Sequence, residues 1–375
     1  MTKLTNLLPL LLAAVSAFGQ KPADAVWTQF EKRTKTGSIF GYKDATGYIR
    51  IPAKFGAFSR ALKFRHIVAV NEEATQRYYY LLKTGRQVGR DSVYMFDYTF
   101  DCESEGKIRF ESRAKNRVGF LNGQGRVVIP AVYNYVTPFH NGLAVGLVGA
   151  HAKCFSGEKD TIACEHPGWV DGQRVLINER NEVLLTFPAK FPWQRLDLYS
   201  VSINAAVAPD TATTVTLRAV SGDRYSFIDY EKEFANWFYQ VFVPAVRSGK
   251  AANVLPLCYA ELAASARPFK GWLQVDRATF VQKFYESELR PKLGGLQRGA
   301  PNVDISTDDL NTLIFTSQNF QRFLTDCGEH AQDKYPAFVV VLTFPSQVKP
   351  PKNTYQSHFE FIRTDKGYRL FCMAL

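Results

Sequence analysis

The chain reads VGFLNGQGRVVIPAVY over residues 118–133 and FGYKDATGYIRIPAKF over residues 40–55. These two stretches align without a gap. They share glycine, an aromatic residue, Asp or Asn, glycine, isoleucine, proline and an aromatic residue in the same order. Worn copies follow the same pattern at residues 80–88 and 176–191, and the last interval is longer than the others. A unit that recurs along the chain predicts a repeat architecture, with an insertion before the last copy.

Each copy is typical of a β-hairpin. A short side-chain oxygen stands at the first turn position, which is Asp44, Asn122 or Asn178. Three residues later stands a residue that tolerates left-handed backbone, namely Gly47, Gly125 or Asn181, and Gly85 holds the same turn position in the copy at residues 80–88. Short oxygens of this kind cap tight turns, and the flanking residues alternate apolar and polar as half-buried strands do. The repeats therefore predict hairpins that bury one face each.

The residues after each turn predict how the hairpins end and pack. Pro52 and Pro130 are expected to stop the second strand, because proline cannot donate to a sheet ladder. The aromatic residue three positions later, Phe55 or Tyr133, is expected to pack against the neighbouring unit. A single hairpin cannot bury its own apolar face, so several units must share a core.

At residues 30–205 the chain resembles the bacterial WG-repeat proteins. Their pattern is Trp-Gly-aromatic-Ile-Asp-x-x-Gly-x-x-Val-Ile-Pro-x-x-Tyr-Asp, followed by Phe-x-x-Gly-x-Ala, and residues 139–144 supply that tail. Phe40 and Val118 occupy the position of the family's tryptophan. The resemblance implies a β-rich binding or interaction module, and it brings no catalytic residues with it.

Composition excludes several other classes of protein. The 375 residues are 46% apolar and 22% charged, which excludes a disordered or collagen-like chain. The net charge of +11 favours anionic partners, but the basic residues are scattered singly and form no block. A solvated surface is therefore the preferred interpretation, and nucleic acid is not an expected partner. The sequence also predicts no transmembrane segment.

The N-terminus has the pattern of a secretory signal peptide over residues 1–19. Lys3 precedes an apolar run over residues 7–18, and small residues stand at Ala17 and Gly19. Cleavage is expected before Gln20, with cleavage after Ala17 as the alternative. The mature protein is therefore expected to be exported, periplasmic or extracellular, and its repeat module spans residues 20–205.

The insertion carries four residues that could bind zinc: His151, Cys154, Cys164 and His166. In an oxidising compartment two cysteines that flank a short polar segment more often form a disulfide, so the pair Cys154 and Cys164 is the predicted bridge. Zinc and free thiols remain the alternatives. Cys258, Cys327 and Cys372 are interpreted as core residues, or as partners in a pairing that would also use Cys102.

The second half of the chain lacks the hairpin pattern of the repeats. Residues 206–227 are interpreted as a connector or a degenerate repeat, and residues 228–375 as a separate domain. Asp229 caps a predicted helix that Pro244 should kink or end, and Asp276 opens a second helix that stops near Pro291. A short third helix is expected at residues 319–325. Strands are predicted at residues 337–344, 358–363 and 368–373, with a hairpin turn at 364–367.

This order predicts an α+β domain with helices packed on a curved antiparallel sheet. The domain loosely resembles the nuclear-transport-factor-2-like cone fold, which implies a pocket between the sheet and the helices. Pocket residues with suitable chemistry would be His358, Glu360, Tyr239, Asp326 and His330. His358 and Glu360 lie two residues apart and so share one sheet face, where they could form a proton relay.

The sequence favours an exported, noncatalytic binding protein over an enzyme. The repeat module would present a binding face to a protein or envelope partner, and the C-terminal domain would dock a partner or a small ligand. The alternative is a periplasmic enzyme that uses general acid/base chemistry in the C-terminal pocket. No P-loop, GxSxG, HExxH or dinucleotide fingerprint is present, so no catalytic residue, cofactor or metal ligand is assigned.

Overall fold

The computed structural model describes residues 26–35, 37–96, 99–154, 168–207, 209–265, 271–345 and 354–375. The described chain is rich in strands and forms several antiparallel sheets. Among these residues every helix is too short or too polar to cross a bilayer.

The first sheet has seven antiparallel strands in the order β4-β1-β2-β3-β5-β6-β7. Its strands are β1 (Trp27–Thr34), β2 (Gly37–Lys43), β3 (Ile49–Phe55), β4 (Lys63–Phe64), β5 (Ile67–Glu72), β6 (Arg77–Leu82) and β7 (Gln87–Val88). A two-stranded ribbon follows, formed by β8 (Met95–Phe96) and β9 (Thr99–Phe100).

Three smaller sheets continue the array. The first contains β10 (Lys107–Ser112), β11 (Arg117–Asn122) and β12 (Val127–Tyr133). The second contains β13 (Tyr135–Val136), β14 (Leu143–Lys153), β15 (Gly168–Asn178) and β16 (Val183–Thr186). The third contains β17 (Ser202–Ile203), β18 (Thr214–Arg218) and β19 (Arg224–Ile228), in the order β17-β19-β18.

The repeating unit is a three-stranded antiparallel meander. The predicted hairpins are its second and third strands, as in β2–β3 and β11–β12. The first strand of each unit, such as β1 or β10, varies in sequence and was not predicted. The hairpin prediction is therefore confirmed, and the structure adds one strand to each unit.

The turns have the predicted geometry. The Oδ1 atom of Asn122 accepts hydrogen bonds from the backbone N–H groups of Gln124 at 3.1 Å and Arg126 at 3.0 Å. Asp44 and Asn178 accept from the two corresponding N–H groups in their own turns. The left-handed turn position has a positive φ in every copy: Gly47 at 88°, Gly85 at 82°, Gly125 at 70° and Asn181 at 64°.

The prediction that proline ends the second strand is wrong. Pro52 lies inside β3 and Pro130 inside β12. The ladder between β2 and β3 jumps from the pair Tyr42–Ile51 to the pair Phe40–Phe55, so Pro52 falls within a bulge. A bulge interrupts the ladder locally, and a residue without an N–H group is tolerated there. The strand then resumes and delivers the aromatic residue to the core.

Adjacent units share their cores, as the sequence predicts. Phe55 is fully buried and packs with Val68 and Tyr79 of the next unit. In the same way, Tyr133 packs with Val175 and Ile177 of the fourth unit, which is formed by β14, β15 and β16. The array is therefore a chain of meanders, each covering the apolar face of its neighbour.

Residues 206–227, which the sequence assigns either to a connector or to a degenerate repeat, contain β18 and part of β19. Its strands pack on the fourth unit through a core that includes Leu185, Tyr225 and Phe227. The turn between β18 and β19 has the backbone hydrogen bonds of the repeat turns, with Gly222 at a φ of 93°.

The remaining chain forms helices on a six-stranded sheet. The helices are α1 (Tyr230–Trp237), α2 (Val243–Arg247), α3 (Ala251–Val254), α4 (Arg277–Phe284) and α5 (Arg290–Leu293). The strands are β20 (Cys258–Ser265), β21 (Leu273–Asp276), β22 (Val303–Asp308), β23 (Ala337–Pro345), β24 (Thr354–Thr364) and β25 (Gly367–Ala374). Their order is β21-β20-β25-β24-β23-β22, with β20 parallel to β25.

The predicted helix caps are present. The Asp229 carboxylate accepts from the N–H of Lys232, and Asp276 accepts from Ala278 and Thr279. Pro244 does not end its helix: a π-helical turn over Phe238–Phe242 precedes it and α2 continues to Arg247. The wider turn accommodates the missing N–H group of proline. The helix expected at residues 319–325 is only a 3₁₀ turn at Gln321–Phe323.

Both faces of this sheet are covered. The helices pack on one face through a cluster of aromatic side chains that includes Phe234, Phe238 and Phe242. The ring of Phe234 stacks on that of Phe338 at 4.3 Å between centroids. Residues 310–335 cover the other face with Phe315, Phe320 and further apolar side chains. Aromatic side chains therefore fill the space between sheet and helices.

Candidate functional site

A short segment preceding β23 joins the two halves of the chain. Cys327 forms a disulfide with Cys102, across a sequence separation of 225 residues. The carbonyl of Asp326 accepts hydrogen bonds from the N–H groups of Leu62 at 2.8 Å and Lys63 at 3.1 Å. The Asp326 carboxylate also forms an ion pair with Arg65. Covalent, backbone and charged contacts thus fix this segment to the repeat array.

The disulfide decides between the interpretations of the second-half cysteines. Cys327 is paired with Cys102, whereas Cys258 and Cys372 are buried free thiols. Burial raises the pKa of the Cys258 thiol to about 12, so this thiol stays protonated and unreactive at neutral pH. These two cysteines are core residues, as the sequence predicts.

The cysteine pair that the sequence singled out is not fully described. Cys154 is buried at the end of β14, but Cys164 and His166 lie outside the described residues. His151 is exposed and lies 3.4 Å from the Asp171 carboxylate. The disulfide at Cys154 and Cys164, and its zinc alternative, stay predictions. Within the described ranges no group of three His, Cys, Asp or Glu residues is placed to hold a metal ion.

A cavity of about 620 Å³ lies beside the disulfide, between the two halves. The repeat array contributes residues from the ranges 65–66, 94–109 and 135–140, together with Tyr199. The opposite wall comes from residues 325–334. Its volume falls within the range of about 300–1,000 Å³ that is usual for small-ligand sites.

Ion pairs hold several charged side chains of the cavity wall. Arg109 and Asp101 form a buried bidentate pair, with nitrogen to oxygen distances of 2.9 and 2.7 Å. Burial opposes the charge of Arg109, but Asp101 holds the pKa of its guanidinium above the ordinary value. His66 contacts the Glu103 carboxylate, which also accepts the backbone N–H of His66 at 2.9 Å. These partners fix the side chains before any ligand arrives.

A hydrogen-bonded row crosses the cavity. Nε2 of His140 lies 3.1 Å from the Asp333 carboxylate, and Nδ1 lies 3.5 Å from the Tyr199 hydroxyl. Burial opposes ionisation of Asp333, but the hydrogen bond and charge of His140 hold its pKa below the usual value. Burial raises the pKa of Tyr199, so its hydroxyl remains protonated. The row joins the repeat array to residues 325–334 at a second point besides the disulfide.

Hydrogen bonds of the two following residues hold the turn that carries His140. Asn141 and Gly142 have positive φ angles, and the N–H group of Gly142 donates to the Glu105 carboxylate at 2.8 Å. The amide of Asn141 also donates to the carbonyl of Leu198 at 3.0 Å, beside Tyr199. The repeat tail at residues 139–144 therefore positions a histidine at the cavity.

Two tyrosines present unused hydroxyl groups to the cavity. Tyr94 is only 7% exposed, and burial raises its pKa to about 12. Its backbone N–H bonds to Tyr80, but among the described residues its own hydroxyl has no hydrogen-bond partner. Tyr135 on β13 also lines the cavity, and its hydroxyl has no partner within the described part of the chain. A hydroxyl that lines the cavity without a protein partner leaves a hydrogen bond open for a ligand.

The five candidates named from the sequence do not converge. Tyr239 lies on the helix side of the six-stranded sheet, with the guanidinium of Arg298 over its ring. His358 and Glu360 pair with Val341 and Val339 on the opposite sheet face. Burial raises the pKa of Glu360 to about 7, and its hydrogen bond is with the Cys372 thiol rather than with His358.

Asp326 and His330 do line the cavity, in structural roles. Asp326 is held by Arg65, and its carbonyl serves the backbone contacts described above. The His330 ring is buried, with Nε2 2.8 Å from the carbonyl of Tyr335 and Nδ1 3.3 Å from Asp309. Sequence reasoning missed Tyr94, Tyr135, Tyr199 and Asp333 altogether. Only His140 stood in a recognised motif, the repeat tail.

Comparison with known proteins supports the repeat interpretation. A family model described as WG containing repeat matches residues 119–145, which run from β11 through β12 and β13 into β14. The search of curated proteins and the search of solved structures found no match. The chain therefore carries a WG repeat, whose family suggests an interaction module.

Proposed function

We propose that this protein is an exported, noncatalytic binding protein that holds a small ligand between its repeat array and its C-terminal part. The observation that carries the proposal is the cavity of about 620 Å³ to which both parts contribute a wall. Pockets of this size with a few fixed polar groups are the usual form of small-ligand sites.

The walls of the cavity are organised in advance. The disulfide between Cys102 and Cys327 and the contact between His140 and Asp333 each link the two walls. Side chains already held in ion pairs lose little further conformational entropy when a ligand binds. Such a site suits binding without a large rearrangement.

The C-terminal part supplies a wall rather than an internal pocket in this proposal. A six-stranded sheet packed on helices supports the resemblance to the cone fold. The aromatic cluster around Phe234 and Phe238 fills the position at which that fold would hold its pocket. The ligand site is therefore placed at the junction with the repeats.

Export is supported by the oxidised cysteine pair. A disulfide between two otherwise distant parts of a chain is typical of proteins in oxidising compartments. The expected signal peptide at residues 1–19 lies outside the described residues, and the location is periplasmic or extracellular in this proposal.

The repeat array also offers a face to a protein or envelope partner. Ile49, Val127 and Val183 stand two positions after the left-handed turn residue of their units, and all three are more than half exposed. Apolar residues that recur at one exposed position form a regular surface feature, which favours recognition over chance exposure.

The binding role can be tested by saturation-transfer NMR with four chemically distinct probes: maltotriose, succinate, putrescine and phenylalanine. We expect saturation transfer to at least one probe, and we expect that probe to be recovered chemically unchanged. Thr99→Trp should abolish the transfer because Thr99 lines the cavity and the indole would fill it. Thr211→Trp, at an exposed position outside the cavity, is the matched control. Transfer to no probe, or equal transfer in both variants, would refute the proposal.

One observation favours acid/base catalysis as a second candidate. His140 lies between a carboxylate and a tyrosine hydroxyl, as a general acid or base often does. Conversion of a bound probe by the wild type, lost in His140→Gln while binding persists, would favour this role. Recovery of every bound probe unchanged would exclude the tested reactions.

A further inference from the structure

We infer that the ligand of the junction cavity is a short neutral oligosaccharide; this inference rests on the proposed binding function and names its ligand class. The cavity combines three features that a polyhydroxylated ligand can use together. They are charges that are mostly held in ion pairs, unpartnered hydroxyl groups and accessible aromatic rings.

Most charged groups of the wall are held in ion pairs, whereas Lys334 and Glu105 have no ion-pair partner among the described residues. Arg109 holds Asp101 within the repeat array, and Arg65 on the repeat side holds Asp326 on the opposite wall. An ionic ligand would have to compete with these partners, and breaking a buried pair leaves an uncompensated charge. The pairing therefore disfavours ligands whose binding would require Arg65, Arg109 or their carboxylate partners to separate.

A neutral ligand with many hydroxyl groups meets no such obstacle. A carboxylate has about four lone-pair sites and a guanidinium five N–H donors, so a pair leaves some of both unused. Each sugar hydroxyl donates one hydrogen bond and accepts others, and it can therefore bind to either member of the pair. The ion pairs stay intact when such a ligand binds.

The tyrosine hydroxyls provide an independent reason. Tyr94 is more than nine-tenths buried, and its hydroxyl has no hydrogen-bond partner among the described residues. Tyr135 offers a second such hydroxyl. A protonated tyrosine both donates and accepts, which matches a ligand hydroxyl and suits a charged group less well.

The aromatic rings supply the apolar part of the site. Phe96 lines the cavity and is 66% exposed, and Tyr199 lines it at 37%. The faces of a pyranose ring carry C–H groups that pack flat on an aromatic ring, while its rim carries the hydroxyls. A site with exposed rings and polar groups around them matches both surfaces of a sugar.

Isothermal titration of the full chain, with its disulfide intact, tests the ligand class. The neutral probes are maltotriose, cellotriose and chitotriose, and the charged probes are trigalacturonate and trilysine. We expect saturable binding of at least one neutral probe, and at least tenfold weaker binding of both charged probes.

Two variants locate the binding in the cavity. Tyr94→Phe removes one hydroxyl and keeps the ring, so we expect about five- to tenfold weaker binding. Phe96→Ala, at an exposed position, should weaken it at least as much. Tyr225→Phe is the control, because this buried tyrosine lies outside the cavity.

The outcomes separate the ligand class from the binding function. Binding of a charged probe that Tyr94→Phe or Phe96→Ala weakens would overturn the oligosaccharide and leave the binding function standing. Binding of a neutral probe that neither variant changes would place the site elsewhere and overturn both. Absence of binding by all five probes would also overturn the oligosaccharide, and the four-probe NMR experiment then decides the binding function alone.

Discussion

Gly119, and its counterpart Gly41, show why the repeat needs a residue without a side chain at this position. A Cβ atom on Gly119 would lie 2.4 Å from the carbonyl oxygen of Ile129 and 2.7 Å from the backbone nitrogen of Ala131. Both atoms belong to the backbone bulge around Pro130. The glycine and the proline of the motif therefore act together. The bulge at the proline comes close to the neighbouring strand, and only glycine leaves room for it there.

This contact predicts the effect of one methyl group. Gly119→Ala should destabilise the protein by about 1–3 kcal/mol, because the bulge cannot move away without breaking its strand. Gly295→Ala is the control, since nothing lies within 4 Å of its Cβ and its φ is not positive. Urea denaturation measures both. Equal stability of the two variants would contradict the close approach.

Glu360 predicts a pH dependence of stability. Burial raises its pKa from 4.5 to about 7, so between these values the folded state holds a proton that the unfolded chain releases. Stability should therefore fall as the pH rises from about 4.5 to about 7, by up to roughly 3 kcal/mol. Glu360→Gln lacks this loss. The stability of the variant relative to the wild type should therefore be higher at pH 8 than at pH 5.

Urea denaturation at the two pH values measures this difference. Glu286→Gln is the control, because Glu286 is exposed and forms only an i,i+4 pair with Arg290. A gap between Glu360→Gln and the wild type that is the same at pH 5 and pH 8 would show that Glu360 titrates normally.

The hairpin turn, as an element, was predictable because its information is local. A cap at Asn122 and a left-handed residue at Gly125 lie three residues apart, and nothing distant is needed to form the turn. The first strand of each meander was missed because it precedes the hairpin and has no sequence signature of its own. The proline was misjudged because a bulge appears only when the neighbouring strand is present.

The turn element permits a matched pair of substitutions. Gly125→Val places a β-branched residue at a φ of 70° and against Val88, at 2.8 Å from the new Cβ. Gly47→Val has a similar φ of 88° with nothing within 4 Å. Both should lose about 1–2 kcal/mol from the backbone strain, and Gly125→Val should lose more through the clash. Thermal melting of both variants checks this order, and an unchanged melting temperature for Gly125→Val would count against the turn.

At the scale of the whole molecule, the cavity could not be predicted from the sequence. Its walls come from residues near 65, 94–109, 135–140 and 325–334, which only tertiary packing brings together. The sequence placed chemistry on His358 and Glu360 because strand periodicity puts them on one face. Periodicity does not say which face meets a cavity, and here that face is turned away from the helices.

The disulfide should stabilise the whole molecule. Cys102→Ser combined with Cys327→Ser should reduce stability by about 2–4 kcal/mol, since the link restricts the unfolded chain. Reductant should lower the melting temperature of the wild type more than that of the double variant, which keeps the predicted Cys154–Cys164 bridge but lacks the link between Cys102 and Cys327. Cys258→Ala is the control for loss of a buried thiol. Mass mapping without reductant that finds Cys102 and Cys327 as free thiols would contradict the link.

The same bond also changes what a single cut in the chain can do. Because Cys102 and Cys327 are 225 residues apart, most of the polypeptide lies within one covalent ring. A protease that cleaves once inside that ring opens it without releasing a fragment, and the two pieces separate only after reduction. A protein with this covalent topology can be nicked and still remain one molecule, with both walls of its cavity attached.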